Sequence, residues 1–409
     1  MEFKKLSCHI TIAFICLVGT SRSHAHEAKL GCPDTTTVLL PGTEIDTLGW
    51  TLSDATAARG SRSAAKCDDE CSCETNKEGL FLIDCSRAIN PDVLREGWSD
   101  AEPGTSEVRL VIMGSELTAL NSLGNISITR AHFKYNPSLS FIAETALLSS
   151  AESLLVLDLR NNNLTSPLNI EGDFMNLQFL SLDGNILETV PEWVNGCKSL
   201  LHLSLANNLI THVAPGTLNN LPNLQFLNLH KNMLTSPPGN LKLPSLRSLV
   251  LQANPITEMT PGAWHDLKSL EYVDLSYSEL STLQEGSLSV ATERPWLISL
   301  AHTPLTHLPQ HAWLGGVLAH WVDLRGTHIT TLDERDFRPL LSSMALKTVV
   351  HADWGRPQIW FHNDVLSCDC DAKWLATNAT LLRHASGRCN DKNIQLRFLD
   401  PDYFNVFCF

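Results

Sequence analysis

Apolar residues recur along this chain in a fixed rhythm. The order Leu-x-x-Leu-x-Leu-x-x-Asn-x-Leu is clear at Leu154-Leu157-Leu159-Asn162-Leu164, Leu177-Leu180-Leu182-Asn185-Leu187 and Leu200-Leu203-Leu205-Asn208-Ile210. It continues at Leu224-Leu227-Leu229-Asn232-Leu234 and Leu246-Leu249-Leu251-Asn254-Ile256. The second apolar position falls at 157, 180, 203, 227, 249, 273, 298 and 322, in steps of 23, 23, 24, 22, 24, 25 and 24. Within each unit, x-Leu-x-Leu-x is the alternation of a short strand with its leucines pointing inward. A period of this length describes a solenoid, which grows by adding units and offers a long concave surface.

The asparagine of each unit is expected to be buried, where its amide survives only by bonding neighbouring backbone groups. Asn162, Asn185, Asn208, Asn232 and Asn254 would then form a ladder, continued by Ser278, Thr303 and Thr327, whose hydroxyls make fewer bonds. That end is expected to be looser or differently curved. On the returning segment Leu218, Trp264, Leu288, Trp313 and Phe337 each lie thirteen residues after the inner leucine and should fill the outer side of the core. Upstream two registers compete: Ile126-Ile128-Ala131-Phe133 fits the template, and so does Ala131-Phe133-Asn136.

The chain opens with Lys4 and Lys5, a mostly apolar stretch from Leu6 to Val18, and Ser23-His24-Ala25, the layout of a secretory signal peptide over residues 1–25. No later stretch reaches the ~20 apolar residues of a membrane span. As it stands, the sequence describes a soluble secreted product; an anchor encoded beyond Phe409 is the alternative. The net charge is −14, and −16 without residues 1–25. That balance argues against nucleic acid and anionic membranes as partners. Ten cysteines remain after the signal, eight of them in two groups at opposite ends of the repeats: Cys67, Cys71, Cys73, Cys85 and Cys368, Cys370, Cys389, Cys408. In a secreted chain such groups read as disulfide frameworks, with a zinc site as the rival.

Cys67-Asp-Asp-Glu-Cys71-Ser-Cys73 with Leu80-Phe-Leu-Ile-Asp-Cys85, and Cys368-Asp-Cys370-Asp-Ala-Lys-Trp374-Leu375 with Cys389 and Cys408, resemble the amino- and carboxy-terminal caps of extracellular leucine-rich-repeat proteins. The resemblance implies an α/β repeat fold, a curved leucine-rich-repeat solenoid with a parallel concave sheet and disulfide-bonded caps. It implies the pairings Cys67–Cys73, Cys71–Cys85, Cys368–Cys389 and Cys370–Cys408. The domains expected are a signal peptide (1–25), a flexible segment (26–66), an amino-terminal cap (67–105), about ten repeats (106–358) and a carboxy-terminal cap (359–409). Asp84-Cys85-Ser86, Ile126-Ser-Ile128, Phe337-Arg-Pro-Leu-Leu and Leu399-Asp-Pro401…Phe404…Cys408 resemble secreted arthropod proteins grouped with the non-catalytic subunit of Oplophorus-type luciferin 2-monooxygenase. That likeness implies an accessory or scaffold protein without chemistry of its own.

The candidate surface is the concave face. The residue before the first strand leucine runs Val156, Phe179, His202, Phe226, Ser248, Tyr272, Leu297, Trp321, an apolar and aromatic stripe at a position expected to be exposed. The next row carries Asp158, Asp274 and Asp323. Phe179, His202, Phe226, Tyr272, Trp321 and these three aspartates are the expected partner contacts. Asn125, Asn163 and Asn378 head N-glycosylation sequons. His302, His307, His311, His320, His328, His351 and His362 lack metal-ligand spacing and are expected to be solvated. Cys197 sits at an inner core position, and Cys32, an odd cysteine in the 26–66 segment, suits an intermolecular disulfide.

No Gly-x-Ser-x-Gly, His-Glu-x-x-His or glycine-rich phosphate loop is present. The expectation is therefore a secreted, non-enzymatic protein-binding scaffold without cofactor or metal. Its partner would be an extracellular protein ligand or a secreted enzyme subunit. The alternative is the ectodomain of an adhesion or innate-recognition receptor.

Overall fold

The computed structural model describes residues 71–75, 80–86, 107–292, 294–347, 349–352, 354–362 and 365–408. The chain divides into two compact units. The larger comprises Arg62–Lys347 and Gln358–Phe409, and holds the repeats and caps; the smaller comprises Met1–Ser61 and Thr348–Pro357. Within the smaller unit His351 and Gly355 exchange backbone hydrogen bonds of 2.8 and 3.0 Å. Residues 1–25, expected to be a signal peptide, and Cys32 and Cys67 lie outside the described residues.

Each repeat contributes one short strand to a sheet of 15 strands among the described residues. Pairing is parallel from Leu80–Asp84 through to Ala385–Cys389, with an antiparallel strand added at either end, Ser72–Thr75 and Ile394–Gln395. The register equates the same template position in successive repeats: Leu157 with Leu180, Leu180 with Leu203, Leu203 with Leu227 and Leu227 with Leu249. All five leucines are fully buried. Burying a leucine stabilises by roughly 1.5–3 kcal/mol, so the periodic leucines supply the main driving force of the coil. The returning segments fill the opposite side as expected, with Leu218, Trp264, Leu288, Trp313 and Phe337 all buried.

Upstream, the second of the two registers is adopted. Leu110 pairs with Ala131 and Ile112 with Phe133, and Asn136 enters the ladder, donating its side-chain amide to Ile112 O at 3.1 Å. Ile126 and Ile128 are buried too, but lie before the strand Arg130–Lys134 rather than within it.

The ladder accounts for backbone groups that the curved chain would otherwise leave unpaired. The Asn185 amide donates to Leu159 O and Leu182 O, both at 2.9 Å, and its Oδ1 accepts from Leu164 N at 3.0 Å. Asn208, Asn232 and Asn254 repeat the pattern. Beyond Asn254 the bonding thins as expected: among the described residues Ser278 Oγ has no partner, and Thr303 Oγ1 donates to Leu300 O of its own repeat. Ile256 N–H turns to Asn254 O instead of a side chain.

A second ladder adjoins the first. Tyr135, Asn161, Asn207, Lys231, Ala253, Tyr277 and His302, each immediately before a ladder residue, have φ between 50° and 58°. Gly184 and Gly326 hold the same position at φ 64° and 69°. A Cβ on Gly326 would collide with the His302 ring, and one on Gly184 with Asn161 Oδ1, so glycine here lets the preceding repeat's side chain lie flat.

Disulfides close both ends: Cys71–Cys85 at the first, Cys368–Cys389 and Cys370–Cys408 at the second. Cys73 is disulfide-bonded as well. Closing loops of this size stabilises by on the order of 3 kcal/mol each in the chain-entropy account. Trp374 Nε1 donates to Leu332 O at 2.8 Å, tying the second cap to the last turn of the repeats. Cys197 is a buried free thiol, and desolvation by burial pushes its pKa up to about 12.

Candidate protein-binding surface

Parallel register turns each outward template position into a continuous row. The first row runs Arg109, Arg130, Val156, Phe179, His202, Phe226, Ser248, Tyr272, Leu297, Trp321. Its middle is a stack of rings: Phe179 on His202 with centroids 4.6 Å apart, and His202 on Phe226 at 4.4 Å, with planes within 15°. These spacings match the separation of neighbouring strands, about 4.8 Å, so the sheet itself sets the stack.

The stripe is not exposed as its template position suggested. Phe179, Phe226 and Trp321 retain 6, 3 and 0% exposure, while His202 and Tyr272 are half-buried. For Phe179 and Phe226 the physical reason is the register, which lays each phenyl face against the His202 ring between them. The His202 imidazole, desolvated there and near the positive Arg160, has its pKa depressed to about 3 and is neutral at physiological pH.

The three expected aspartates are buried in the adjoining row and differ in their support. Asp158 takes a bidentate pair from Arg160, Nε to Oδ1 at 2.8 Å and Nη2 to Oδ2 at 2.7 Å. Lys134 lies 3.6 Å and His132 3.7 Å from the same carboxylate, beyond hydrogen-bond length. Burial opposes ionisation of Asp158, but these neighbours more than offset it and hold the carboxyl well below the usual range. Asp323 has a matching bidentate partner in Arg325. Among the described residues no cation pairs with Asp274; Tyr272 Oη and Ser276 Oγ donate to it at 2.9 and 2.6 Å. Its burial wins, and the pKa rises above the carboxylate norm.

Two groups were hidden in the repeat pattern. Arg109, Arg130, His132 and Lys134 extend the concave rows upstream, with Glu107 Oε1 bridging Arg109 and Arg130 at 3.1 and 2.5 Å. The open register upstream obscured them. On the edge past the ladder, Ile186, Leu209 and Met233 are exposed apolar residues, legible only by comparing one non-leucine template position across repeats.

Of the three sequon asparagines, Asn125 and Asn163 are exposed, whereas Asn378 is half-buried and its Oδ1 accepts from Leu381 N at 3.2 Å. Six of the seven histidines considered stand exposed or half-buried. His320 is the correction: it is buried against Trp321 and lies 3.3 Å from Lys347 Nζ. Among the described residues one group has metal-ligand proximity, Cys368, Cys389 and Asp391, and its two sulfurs form a disulfide. No helix among the described residues is long and apolar enough to cross a membrane.

A one-stranded repeat in parallel register, an asparagine ladder and a disulfide-bonded cap at each end define a leucine-rich-repeat solenoid. The family model described as "Leucine rich repeat" matches residues 175–234 and 244–290. The chain is similar to the "Oplophorus-luciferin 2-monooxygenase non-catalytic subunit" of Oplophorus gracilirostris, with 25% identity over 350 residues, 83% of this chain and 86% of that protein. It is also similar to the human oligodendrocyte-myelin glycoprotein, 40% identical over 87 residues, which are 21% of this chain and 19% of that one. Among solved structures, an octameric complex of Latrophilin 3, Unc5D and FLRT2 (LRR) aligns over 79% of this chain and 92% of the matched one, with 17% identity and a TM-score of 0.45.

Proposed function

We propose that this chain is a secreted, non-catalytic scaffold that binds another extracellular protein through its concave rows. The observation that carries this reading is the in-register surface itself. Phe179, His202, Phe226, Tyr272 and Trp321 lie in one row beside Asp158, Asp274 and Asp323, held by a sheet whose geometry is fixed by buried leucines. A preorganised row of aromatics and charges loses little conformational freedom on binding, which favours affinity. His202 and Tyr272 are the half-buried aromatics of this row, the other three being buried. No catalysis is assigned to the chain, in keeping with a relative that spans most of its length and is named a non-catalytic subunit.

That relative, named a non-catalytic subunit, supports a more specific form of the reading, an accessory subunit held to an enzyme; the odd cysteine Cys32 would supply a covalent link. Non-reducing electrophoresis of the secreted protein tests the link: a band unchanged by reductant removes it. For the surface, Tyr272→Ser and His202→Ala are compared with wild type in recovering the partner from the secreting tissue. A loss of about tenfold or more, equivalent to about 1.4 kcal/mol, supports the concave face. Undiminished recovery by a folded variant moves the site elsewhere.

A further inference from the structure

Ile186, Leu209 and Met233 are 39, 45 and 50% exposed. Each directly follows a ladder asparagine: Asn185, Asn208 and Asn232. Their N–H groups donate to Leu164 O, Leu187 O and Ile210 O at 3.0, 2.8 and 2.9 Å, in each case one residue past the counterpart position in the repeat before. By that rule the counterpart of Ile186 is Asn163, which follows the ladder residue Asn162. The edge row therefore reads Asn163, Ile186, Leu209, Met233, spaced like neighbouring strands. Three consecutive aliphatic side chains left in water are a standing cost that burial would relieve. At the head of the row stands an exposed asparagine in the sequon Asn163-Leu164-Thr165, whose Thr165 is bridged in parallel to Ile186.

We propose that Asn163 carries an N-linked glycan whose core sugars lie along Ile186, Leu209 and Met233 and shield this edge from water and from other chains. The inference rests on the secreted reading. Transfer forms a C–N bond between Asn163 Nδ2 and the anomeric carbon of a lipid-diphosphate-linked oligosaccharide. It breaks the anomeric C–O bond and releases the lipid diphosphate and one amide proton. The occupant suits the row chemically. A pyranose ring offers a C–H face that sheds water against aliphatic side chains, while its hydroxyl edge remains solvated. Asn125 and Asn378 do not belong to this row and serve as internal controls.

Glycopeptide mass spectrometry of the protein secreted from eukaryotic cells is expected to find Asn163 occupied. Asn163→Gln should then bind an apolar fluorescent dye severalfold more strongly and self-associate in sedimentation. Adding Leu209→Ser and Met233→Ser should return both readouts to the wild-type level, whereas Asn125→Gln should change neither. Enzymatic removal of the glycan from the folded glycoprotein gives the same readout without relying on a variant that must fold. Asn163 unoccupied while Asn125 or Asn378 is glycosylated overturns the proposal, as does dye binding unchanged by removal. If all three asparagines are bare in the secreted protein, this inference falls and the secreted reading stands; a chain that never reaches the medium defeats the secreted reading.

Discussion

The side-chain amide of Asn254 donates to the carbonyl of Leu229 at 2.9 Å, and the residue that follows it on the ladder, Ser278, makes no such bond to the repeat before. The ladder thus changes character within one repeat. Removing a rung where the ladder is complete leaves buried carbonyls and an amide unpaired. Asn208→Ala, which strips Leu182 O, Leu205 O and Leu187 N of a partner, is expected to cost about 3 kcal/mol in a denaturant titration. Ser278→Asn should raise stability by about 1 kcal/mol and slow hydrogen exchange at Ile256 N–H. Equal exchange in variant and wild type would show that the rung is not formed.

Asp158 and Asp274 occupy one row with opposite responses to pH. The Asp158 pKa is lowered on folding, so its contribution to stability is complete above the unfolded value of about 3.9 and fades as pH falls through the folded one. The Asp274 pKa is raised, so its ionised form weakens the fold as pH rises through that range and beyond. Asp274→Asn should therefore stabilise near neutral pH and make little difference below about pH 4, where the acid is protonated in both states. Asp158→Asn should destabilise near neutral pH by leaving Arg160 and Lys134 without their carboxylate. Thermal melts across pH that show the two variants shifting in the same direction would contradict this assignment.

His202, pressed between two phenyl rings, titrates near 3 in the fold against about 6.5 in the unfolded chain. The unfolded state binds the extra proton, so stability should fall progressively as pH drops below about 6.5. His202→Phe preserves a ring in the stack and removes the proton acceptor. Its melting temperature should decline less steeply between about pH 6.5 and pH 4 than that of wild type. Identical slopes would place the acid sensitivity elsewhere.

Gly326 has φ 69° and lies beneath the His302 ring, which in turn stacks on Tyr277 at 4.5 Å. Gly326→Ala combines a left-handed backbone, costing roughly 1–2 kcal/mol, with a collision against that ring. A loss of about 2 kcal/mol is expected by denaturant titration. His302→Ala should recover part of it by clearing the space. If the double variant is no more stable than Gly326→Ala alone, the collision is not what matters.

The repeated strands are legible because leucine is both the signal and the cause: Leu157, Leu180, Leu203, Leu227 and Leu249 are where burial is complete. The upstream register is not, because Ala131 stands where the template has leucine, and Ile126 and Ile128 imitate the strand alternation. The residues of the partner row can be read from the sequence, but their environment cannot. Alternation says that Phe179 and Phe226 point away from the leucines; it does not say that in-register rings will cover one another. Ile186, Leu209 and Met233 escape notice because each is ordinary in its own repeat. They form a stripe only when the repeats are stacked.

Strict register has a consequence for how such a protein can vary. Any spot on the concave sheet has two addresses, its repeat and its row, and its side chain touches little beyond the repeats on either side. A substitution at an outward position can therefore retune one cell of the grid while the rest keeps its geometry. Inserting a single residue within Phe179–Ser181 would do the reverse, swapping inward and outward faces for the remainder of that strand. Changes in length are tolerable only in the returning segments, where units of 22 to 25 residues already coexist.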